Sequence, residues 1–508
     1  MPSTPTAETP RRGGTLIVSL AADPPHFDIH QQATSLTGVI TAPVYNKLLS
    51  YDLATASKLV PDLAERWEAT PDGLSFRFTI RAGVKSHDGQ PFTAEDAAFN
   101  VQLLADPPKG TISNMSSLLK PTFKAVAVES GNVVRADFKE PYAPFLALLS
   151  TDYAPIYPKR VVEANGDMKK TPLGTGPFKF QSYTPGVSVE LIRNPAYWKA
   201  ARPYMDGVSF RVIKDPATRL AALRTGQVHL TGRAFSTLTV SEKETVQREV
   251  PNMNFFPSAS LRGPWFFMNL RKPPFSDARV RRAVHLALDR NAALKVIAEG
   301  QGLAGNFFPY EGWGLSQDVL GSRPGFRQPK DADLAEAKKL LADAGFPSGF
   351  SVTILSRTNE LTRKSAVFMA GQLQAIGVKA EVRVLEDALF FDSGRKAQHE
   401  AMVYTPGATI PDPVWIGSFF VKGGSFNFAG NDDDARLNTL WTEQVRTLDE
   451  AKRKGLVRQT EEYLWEALPA IPIAWVFEFL ATAPQVRGVA RGRSDIAENS
   501  LEEVWLAR

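Results

Sequence analysis

Residues 67–96 read WEATPDGLSFRFTIRAGVKSHDGQPFTAED, and this stretch is the most informative part of the chain for its fold. It begins with a turn at 71–73, and the alternation of residues from Leu74 to Ile80 predicts a β-strand. An Asp-Gly pair at 88–89 predicts a second turn. Thr93 is then placed to cap a helix, with Asp96 at the position that completes a capping box. Local physics alone therefore predicts a strand, a turn and a helix in succession.

Length and composition indicate a multidomain globular protein. The chain has 508 residues, more than a single hydrophobic core usually supports, so we expect two or three domains. Hydrophobic residues make up 43% and charged residues 22%, which is ordinary for such a protein. The net charge of +5 is spread over interspersed basic and acidic residues, so the sequence gives little support to nucleic-acid binding.

The chain contains no cysteine. Disulfides, cysteine-ligated metal sites and a thiol nucleophile are therefore excluded from it, and we expect no lipidated N-terminal cysteine. A chain without thiols also suits an oxidising compartment.

No stretch of the sequence approaches the ~20 apolar residues of a membrane helix. The longest apolar run, 470–483, is interrupted by Pro472 and Glu478 and reads as a buried strand. Residues 1–14 have no apolar core and are not a signal peptide, so we expect that a signal was removed.

Helix and strand patterns alternate along the chain, which indicates α/β domains. The predicted strands are 14–21, 48–51, 187–193, 226–230, 265–270, 351–355 and 379–385. The predicted helices are 35–50, 94–105, 215–224, 279–293, 331–344 and 361–376, with a poorly patterned loop at 106–121. The acidic run at 432–434 is placed to cap a further helix.

The ordered motifs resemble those of the extracytoplasmic solute-binding proteins of peptide, nickel and opine ABC importers, family 5. Besides the 67–96 stretch, they are Gly-Thr-Gly-Pro-Phe at 174–178, Asn-x-x-x-x-Pro-Phe-x-Asp at 269–277, Ala-Gly-Phe-Pro-x-Gly-Phe at 344–350 and Leu-Pro-Ala-Ile-Pro-Ile at 468–473. The resemblance covers about residues 13–508.

The resemblance implies an α/β, two-lobed periplasmic binding protein fold of type II with an extra small domain. Lobe I would comprise 13–45, 172–262 and 476–508, domain II 46–171 and lobe III 263–475, after a disordered segment at 1–12. A ligand would lie in the cleft between lobes I and III and be enclosed by hinge closure.

Candidate ligand-binding residues are aromatic or carry hydrogen-bonding groups, and we place them near the expected cleft. Arg233 and Arg262 can clamp a carboxylate, although solvated surface arginines are the alternative. Aromatic side chains can line the cleft, although core packing is the alternative for each. The full set is Arg233, Arg262, Trp265, Tyr404, Thr409, Trp415, Trp475 and Phe477.

Residues 400–413 depart from the pattern of peptide binders. In the family, peptide binders usually have Trp in place of Pro406 and, in place of Thr409, an Asp that pairs with the α-ammonium of the peptide. A buried ammonium without a counter-charge costs on the order of several kcal/mol. Ordinary peptides are therefore doubtful ligands. Asp412 matches the structural Asp-Pro of the motif, and it or Glu478 would have to replace the missing carboxylate.

Other kinds of site find weaker support. The Gly300–Gly305 segment matches a dinucleotide fingerprint but follows a predicted helix, so we interpret it as a loop. The six histidines are dispersed, and only His26 and His30 lie close in sequence. No serine-hydrolase elbow or zinc-protease motif is present.

We therefore predict a periplasmic, monomeric substrate-binding component that passes a small organic solute to the membrane permease subunits of an ABC importer. It would need no cofactor or metal, bind no nucleic acid and perform no catalysis. A di- or oligopeptide-binding protein is the alternative within this class. A metal-chelate or haem carrier and a hydrolase are the alternatives from other classes.

Overall fold

The structure, a computed structural model, describes residues 8–32, 34–52, 58–111, 113–257, 262–309, 312–407, 412–489 and 499–507. The chain divides into two compact units, defined here as the first unit (Met1–Ala259 and Glu478–Arg508) and the second unit (Ser260–Phe477). The second unit contains the segment 263–475 that the family resemblance assigns to lobe III. The finer assignment of lobe I and domain II stays a prediction. Residues 1–7 of the segment predicted to be disordered, and Thr409, lie outside the described residues.

The strands and helices alternate over most of the chain. The strands are β1 (Thr15–Leu20), β2 (Leu49–Tyr51), β3 (Leu59–Pro61), β4 (Ala64–Ala69), β5 (Ser75–Ile80), β6 (Phe123–Ser130), β7 (Val133–Phe138), β8 (Phe178–Thr184), β9 (Ser188–Arg193), β10 (Gly207–Val212), β11 (Leu230–Thr231), β12 (Asn254–Pro257), β13 (Trp265–Met268), β14 (Gly302–Ala304), β15 (Ser351–Arg357), β16 (Lys379–Leu385), β17 (Ala401–Tyr404), β18 (Ala470–Pro472), β19 (Ala474–Val476), β20 (Phe479–Thr482), β21 (Val486–Arg487) and β22 (Trp505–Leu506).

The α-helices are α1 (Ser35–Thr41), α2 (Ala94–Ala105), α3 (Asn114–Leu119), α4 (Phe145–Leu149), α5 (Lys159–Asn165), α6 (Pro216–Arg224), α7 (Arg233–Ser236), α8 (Val240–Glu249), α9 (Ala278–Ala287), α10 (Arg290–Val296), α11 (Gln317–Gly321), α12 (Asp331–Asp343), α13 (Glu360–Gln374), α14 (Asp387–Arg395), α15 (Gly417–Phe420), α16 (Ala435–Arg446) and α17 (Glu450–Ala467). Two short 3-10 helices occupy Ile29–Gln31 and Pro413–Ile416.

The first unit contains a seven-stranded sheet of order β12-β20-β11-β1-β10-β9-β8 and a four-stranded sheet of order β4-β5-β7-β6. Strand β1 is parallel to both β10 and β11, whereas the four-stranded sheet is antiparallel throughout. The 67–96 stretch folds as predicted, with β5 followed by α2. Thr93 accepts a hydrogen bond from the backbone N–H of Asp96, and the carboxylate of Asp96 accepts one from the backbone N–H of Thr93.

The Gly-Thr-Gly segment at 174–176 passes very close to the backbone at 44–45. A Cβ on Gly176 would lie 2.4 Å from the carbonyl carbon of Val44, and one on Gly174 would lie 2.4 Å from the Val44 oxygen. The backbone N–H of Gly176 donates to the Val44 oxygen at 3.0 Å. Only glycine permits this approach, which gives a packing reason for the motif.

The second unit is built on a five-stranded sheet of order β16-β15-β17-β13-β18. Strand β15 is parallel to β16 and β17, and β13 is antiparallel to β17 and β18. Side chains of β13 alternate between two hydrophobic clusters, with Phe266 and Met268 in one and Trp265 and Phe267 in the other. The sheet is therefore covered on both faces, as expected for an α/β unit.

Several predicted elements need correction. The helix predicted over 279–293 is two helices, α9 and α10, because the chain turns extended at Leu288 and Asp289 caps a new helix. The loop predicted at 106–121 contains α3, capped by Ser113. The helix predicted over 35–50 ends at Thr41, and the strand predicted at 226–230 is only the pair Leu230–Thr231. The loop predicted at 300–305 contributes β14, which pairs with β19.

We expect Thr93→Ala to lower the free energy of unfolding by about 1 kcal/mol, because it removes the hydroxyl that caps α2. Thr245→Ala is the control, since the exposed Thr245 hydroxyl makes hydrogen bonds only within α8, donating to the carbonyl oxygen of Ser241 and accepting from Arg248. It should change stability by less than about 0.5 kcal/mol. Urea denaturation monitored by circular dichroism measures both. Equal stability of the two variants would contradict the capping role.

Candidate functional site

The three candidate tryptophans meet in one aromatic cluster of the second unit. Trp265 is fully buried on β13, Trp475 is fully buried on β19, and Trp415 lies in the 3-10 helix that follows Asp412. The ring centroids are 6.1 Å apart for Trp265 and Trp415, 5.9 Å for Trp265 and Trp475 and 6.3 Å for Trp415 and Trp475. Trp475 donates its indole N–H to the carbonyl oxygen of Asn306 at 2.9 Å. In this structure these tryptophans pack as core side chains.

Tyr404 lies at the end of β17, where the aromatic cluster reaches the surface of the second unit. Its ring stacks on Phe426 with centroids 5.9 Å apart, and Phe391 meets it edge-on at 5.7 Å. All three rings are partly exposed. Burial raises the pKa of the Tyr404 hydroxyl, so the phenol is neutral at physiological pH.

Arg357 completes this surface at the carboxyl end of the parallel strand β15. Its guanidinium carbon lies 5.3 Å from the ring centroid of Phe391 and 6.0 Å from that of Tyr404. Nε donates to Oδ1 of Asp387 at 2.7 Å, and Nη2 donates to Oδ2 of the same carboxylate. This bidentate pair lowers the pKa of Asp387. We call the group formed by Arg357, Asp387, Phe391, Tyr404 and Phe426 the arginine–aromatic surface.

The Nη1 atom of Arg357 makes no hydrogen bond to any of the residues that the structure describes. The Arg357 side chain is 23% exposed, so part of it is within reach of a solute. Sequence reasoning missed Arg357, Phe391 and Phe426. The available signal was the position of Arg357 at the carboxyl end of a parallel strand, where α/β proteins commonly bind ligands.

The remaining candidate residues that the structure describes are Arg262, Phe477 and Arg233. In the second unit, the backbone of Arg262 forms bridges with Gly407 and Val476, and the backbone N–H of Phe477 donates to Gln301. In the first unit, Arg233 is buried at the start of α7.

Asp412 has a structural role, as the sequence predicted. Both of its carboxylate oxygens accept from Arg453, at 2.6 and 2.7 Å, and both side chains are almost fully buried. Asp412 also accepts from the backbone N–H of Val414 and caps the 3-10 helix that carries Trp415. Glu478, the other carboxylate considered, belongs to the first unit and accepts from the hydroxyl of Thr237 at 2.6 Å.

Two of the histidines, His26 and His30, make hydrogen bonds within the first unit. His26 accepts from the backbone N–H of Asp28, and the Nε2 atom of His30 lies 2.9 Å from the carbonyl oxygen of Pro155. Within the described ranges, no group of three or more acidic or histidine side chains is placed to hold a metal ion. Every helix in this part of the chain is too short or too polar to cross a lipid bilayer.

The family model for bacterial extracellular solute-binding proteins, family 5 (Middle), matches residues 58–428. The chain belongs to this family. It is 28% identical to probable di/tripeptide-binding protein 5 of Pseudomonas aeruginosa over 511 residues, covering 94% of this chain and 93% of that protein. It is 27% identical to haem-binding protein A of Haemophilus influenzae over 476 residues, covering 88% of this chain and 84% of that protein.

A solved family 5 structure gives the same result. The periplasmic binding protein DppA of Helicobacter pylori, in complex with the peptide STSA, superposes with a TM-score of 0.79 at 27% identity, covering 98% of this chain and 99% of that one. The predicted fold class, an α/β two-lobed periplasmic binding protein, is thereby confirmed.

The predicted function is confirmed as well: the protein is the substrate-binding component of an ABC importer. Family 5 proteins bind solutes without catalysis, the relatives are periplasmic, and they deliver ligands to ABC permease subunits.

Arg453→Met should destabilise the protein by about 3–5 kcal/mol, because it leaves the Asp412 carboxylate buried without a counter-charge. The double variant Arg453→Met/Asp412→Asn should recover part of that loss. Denaturant unfolding of the four proteins of this cycle gives the coupling energy. Additive losses in the double variant would show that the two side chains do not act as a pair.

Proposed function

We propose that the ligand is a small organic solute that is rich in hydrogen-bond acceptors, partly aromatic, and without the free α-ammonium of a peptide. The observation that supports this proposal is the guanidinium of Arg357 over the partly exposed rings of Phe391 and Tyr404, with its Nη1 atom bonded to none of the described residues. A guanidinium over aromatic faces suits a carboxylate or carbonyl attached to a planar group. The guanidinium itself only donates hydrogen bonds, so it offers no acceptor to an ammonium.

The carboxylates of this region support the same proposal. Asp387 is engaged by Arg357, and Asp412 is engaged by Arg453. Thr409, where peptide binders of the family place Asp, offers a hydroxyl that contributes ~0.5–1.5 kcal/mol as a hydrogen bond but carries no charge. Neither Asp387 nor Asp412 is therefore left over as the negative partner that desolvation of a peptide ammonium requires.

We further infer that this chain works in the periplasm as a monomer, binds its solute without changing it, and passes it to membrane permease subunits. Family membership supports the location and the partner. Peptide binding is the alternative within the same importer class, and the name of the Pseudomonas aeruginosa relative favours it.

The ligand test combines native mass spectrometry of the protein as purified with calorimetry. The calorimetric panel contains di- to pentapeptides, their N-acetylated forms, and aromatic and sugar acids. We expect binding of acids or acceptor-rich solutes and no sub-micromolar binding of unmodified peptides. Tight peptide binding that N-acetylation abolishes would refute the proposal and favour the peptide alternative.

Arg357→Met should weaken binding of the acid identified in that panel by about 10- to 100-fold, since a hydrogen bond to a charged group contributes about 1.5–3 kcal/mol. Arg436→Met is the matched control, because Arg436 also lies over a ring, that of Tyr463 at 4.5 Å, and pairs with a carboxylate, that of Glu466. The control should bind normally. Equal affinity of both variants would remove Arg357 from the site.

Thr409→Asp should create binding of an unmodified dipeptide, because it supplies the missing counter-charge for the ammonium. Thr409→Asn, which has the same shape without the charge, should not. Calorimetry with one dipeptide and its N-acetylated form measures the gain. If Thr409→Asp binds no better than Thr409→Asn, the neutral residue at 409 does not set the selectivity.

Recovery of the bound solute measures catalysis directly. We expect the ligand to be released chemically unchanged after prolonged incubation, as judged by mass spectrometry. Steady accumulation of a converted product in the presence of the purified protein would overturn the binding-protein assignment.

A further inference from the structure

Three side chains near the carboxyl ends of the parallel strands β15 and β17 form a chain of hydrogen bonds. Thr362 is fully buried in the first turn of α13, and its Oγ1 atom lies 2.7 Å from Oδ1 of Asn359 and 2.9 Å from Oγ1 of Thr405. Thr405 directly follows β17 and is partly exposed. We call Asn359, Thr362 and Thr405 the hydroxyl chain. It leads from the cap of a helix to a residue at the surface of the second unit.

The backbone fixes the direction of every hydrogen bond in the hydroxyl chain. The backbone N–H of Thr362 donates to Oδ1 of Asn359 at 3.0 Å, so the oxygen of this amide, and not its NH₂ group, faces Thr362. Because that oxygen can only accept, the single hydroxyl proton of Thr362 is directed to it. The hydroxyl of Thr405 therefore donates its own proton to Thr362. The reverse order would leave two oxygens 2.7 Å apart with no proton between them.

This order leaves Thr405 with lone pairs alone for any further partner. A hydroxyl has one proton and two acceptor lone pairs, and the proton of Thr405 is already used. Among the residues that the structure describes, Thr362 is the one hydrogen-bond partner of the Thr405 hydroxyl. A solute group that meets this oxygen is therefore required to be a donor.

Thr405 lies beside the arginine–aromatic surface. Strands β15 and β17 pair in parallel with Leu355 opposite Met402, so the same register places Tyr404 opposite Arg357. The guanidinium carbon of Arg357 is 6.0 Å from the ring centroid of Tyr404, in agreement with that register. Thr405 is the next residue of the chain. The donors of Arg357 and the acceptor of Thr405 thus share one edge of the sheet, where α/β proteins commonly bind ligands.

We propose that Thr405 is a specificity-determining residue of the solute site, and that its Oγ1 atom accepts a hydrogen bond from an uncharged donor of the solute. This inference rests on the proposed function and narrows the ligand to an acid that also carries a hydroxyl or an amide N–H close to its carboxylate. Arg357 binds the carboxylate, and Thr405 selects the neighbouring donor. Because the threonine oxygen is neutral, it does not supply the counter-charge that an ammonium requires.

Neutron diffraction of the perdeuterated, full-length protein tests the direction of the hydroxyl chain without any solute. We expect the deuterium on Thr405 to point at Oγ1 of Thr362, and the deuterium on Thr362 to point at Oδ1 of Asn359. A deuterium on Thr405 that points away from Thr362 would overturn the inference, whether or not the proposed function holds.

Calorimetry with matched acids tests the selectivity. Mandelate and phenylglyoxylate differ at one carbon, which carries a hydroxyl in the first and a carbonyl oxygen that only accepts in the second. We expect the unaltered protein to bind mandelate about 5- to 10-fold more tightly, the effect of one hydrogen bond. N-acetylphenylglycine separates the two donor types: tighter binding than mandelate identifies an amide N–H as the preferred donor, and weaker binding identifies a hydroxyl.

The outcomes separate this inference from the proposed function. If phenylglyoxylate binds as tightly as both donor-bearing acids, Thr405 does not select a donor, and the proposed function is unaffected. If none of the three acids binds, both the inference and the proposed function are wrong.

Variants of the hydroxyl chain test its direction through binding. Thr362→Val frees the proton of Thr405, so phenylglyoxylate should bind more tightly and the preference for mandelate should fall to about twofold or less. Thr405→Val should also lose the preference, but through weaker binding of mandelate. Ser365→Ala is the matched control, because it removes another buried hydroxyl of α13, one that donates to the carbonyl oxygen of Leu361. It should keep the full preference.

A preference for mandelate that survives in Thr405→Val would overturn the inference. Unchanged phenylglyoxylate binding in a folded Thr362→Val protein would do the same. If Thr362→Val does not fold, Thr405→Ser replaces it, because serine keeps the hydroxyl and should keep the preference. Loss of the preference in Thr405→Ser would then contradict a role for the hydroxyl.

Discussion

Two buried charges on one face of helix α17 hold the second unit in its observed form. Arg453 and Glu461 are separated by two helical turns and lie on the same side of the helix as Val457 and Leu464. A buried charge is costly unless it is paired and hydrogen-bonded, so each of these side chains demands a fixed partner. Arg453 takes the carboxylate of Asp412, and Glu461 takes three backbone N–H groups of the 306–316 loop. Two segments that are distant in sequence are thereby attached to one rigid element.

The central sheet of the second unit determines on which of its faces each aromatic side chain lies. Because side chains alternate along β13 and β17, one face receives Phe266 and Val403, and the other receives Trp265 and Met402. The second face continues outward through Phe419 to Tyr404 and Phe426. The partly exposed rings of the arginine–aromatic surface are therefore the outer layer of a packed core. Rings held in this way lose little conformational entropy when a flat solute stacks on them.

Local patterns predicted the elements whose signals lie within a short window. The capping box at Thr93 gave α2 its observed limits, and the strand at 379–385 was also predicted with its observed limits. The apolar pattern continues through Leu288, so it predicts one helix where the structure has α9 and α10. The Asp289 cap that restarts the helix has no distinct signal within that pattern. Strand β14 was missed because its partner, β19, lies far away in sequence.

The candidate site also contains features that the sequence predicts and features that it does not predict. The structural role of Asp412 was predictable from its Asp-Pro motif, whereas its partner Arg453 was not, since nothing local connects the two positions. Trp265 and Trp475 were singled out for residue type, but burial depends on sheet register, which a sequence window does not contain. Arg357 was overlooked because an arginine at the end of a strand looks like any solvated one until its aromatic neighbours are known.

Four arginines of the described part of the second unit lie over aromatic rings. Arg436 does so on the exposed surface, over Tyr463. Comparing the other three shows why only one of them suits a solute. Arg290 lies 3.9 Å from the ring centroid of Phe326, is buried, and donates to the carbonyl oxygen of Gly325. Arg453 lies over Trp313, is buried, and donates from both Nη atoms to the carboxylate of Asp412. Arg357 shares the stacking and the carboxylate partner but remains partly exposed. Stacking orients all three guanidinium groups, so orientation does not separate a binding arginine from a structural one. The distinction is a donor edge without an acceptor among the described residues, on a side chain that is partly exposed. Among these three, Arg357 alone combines both properties.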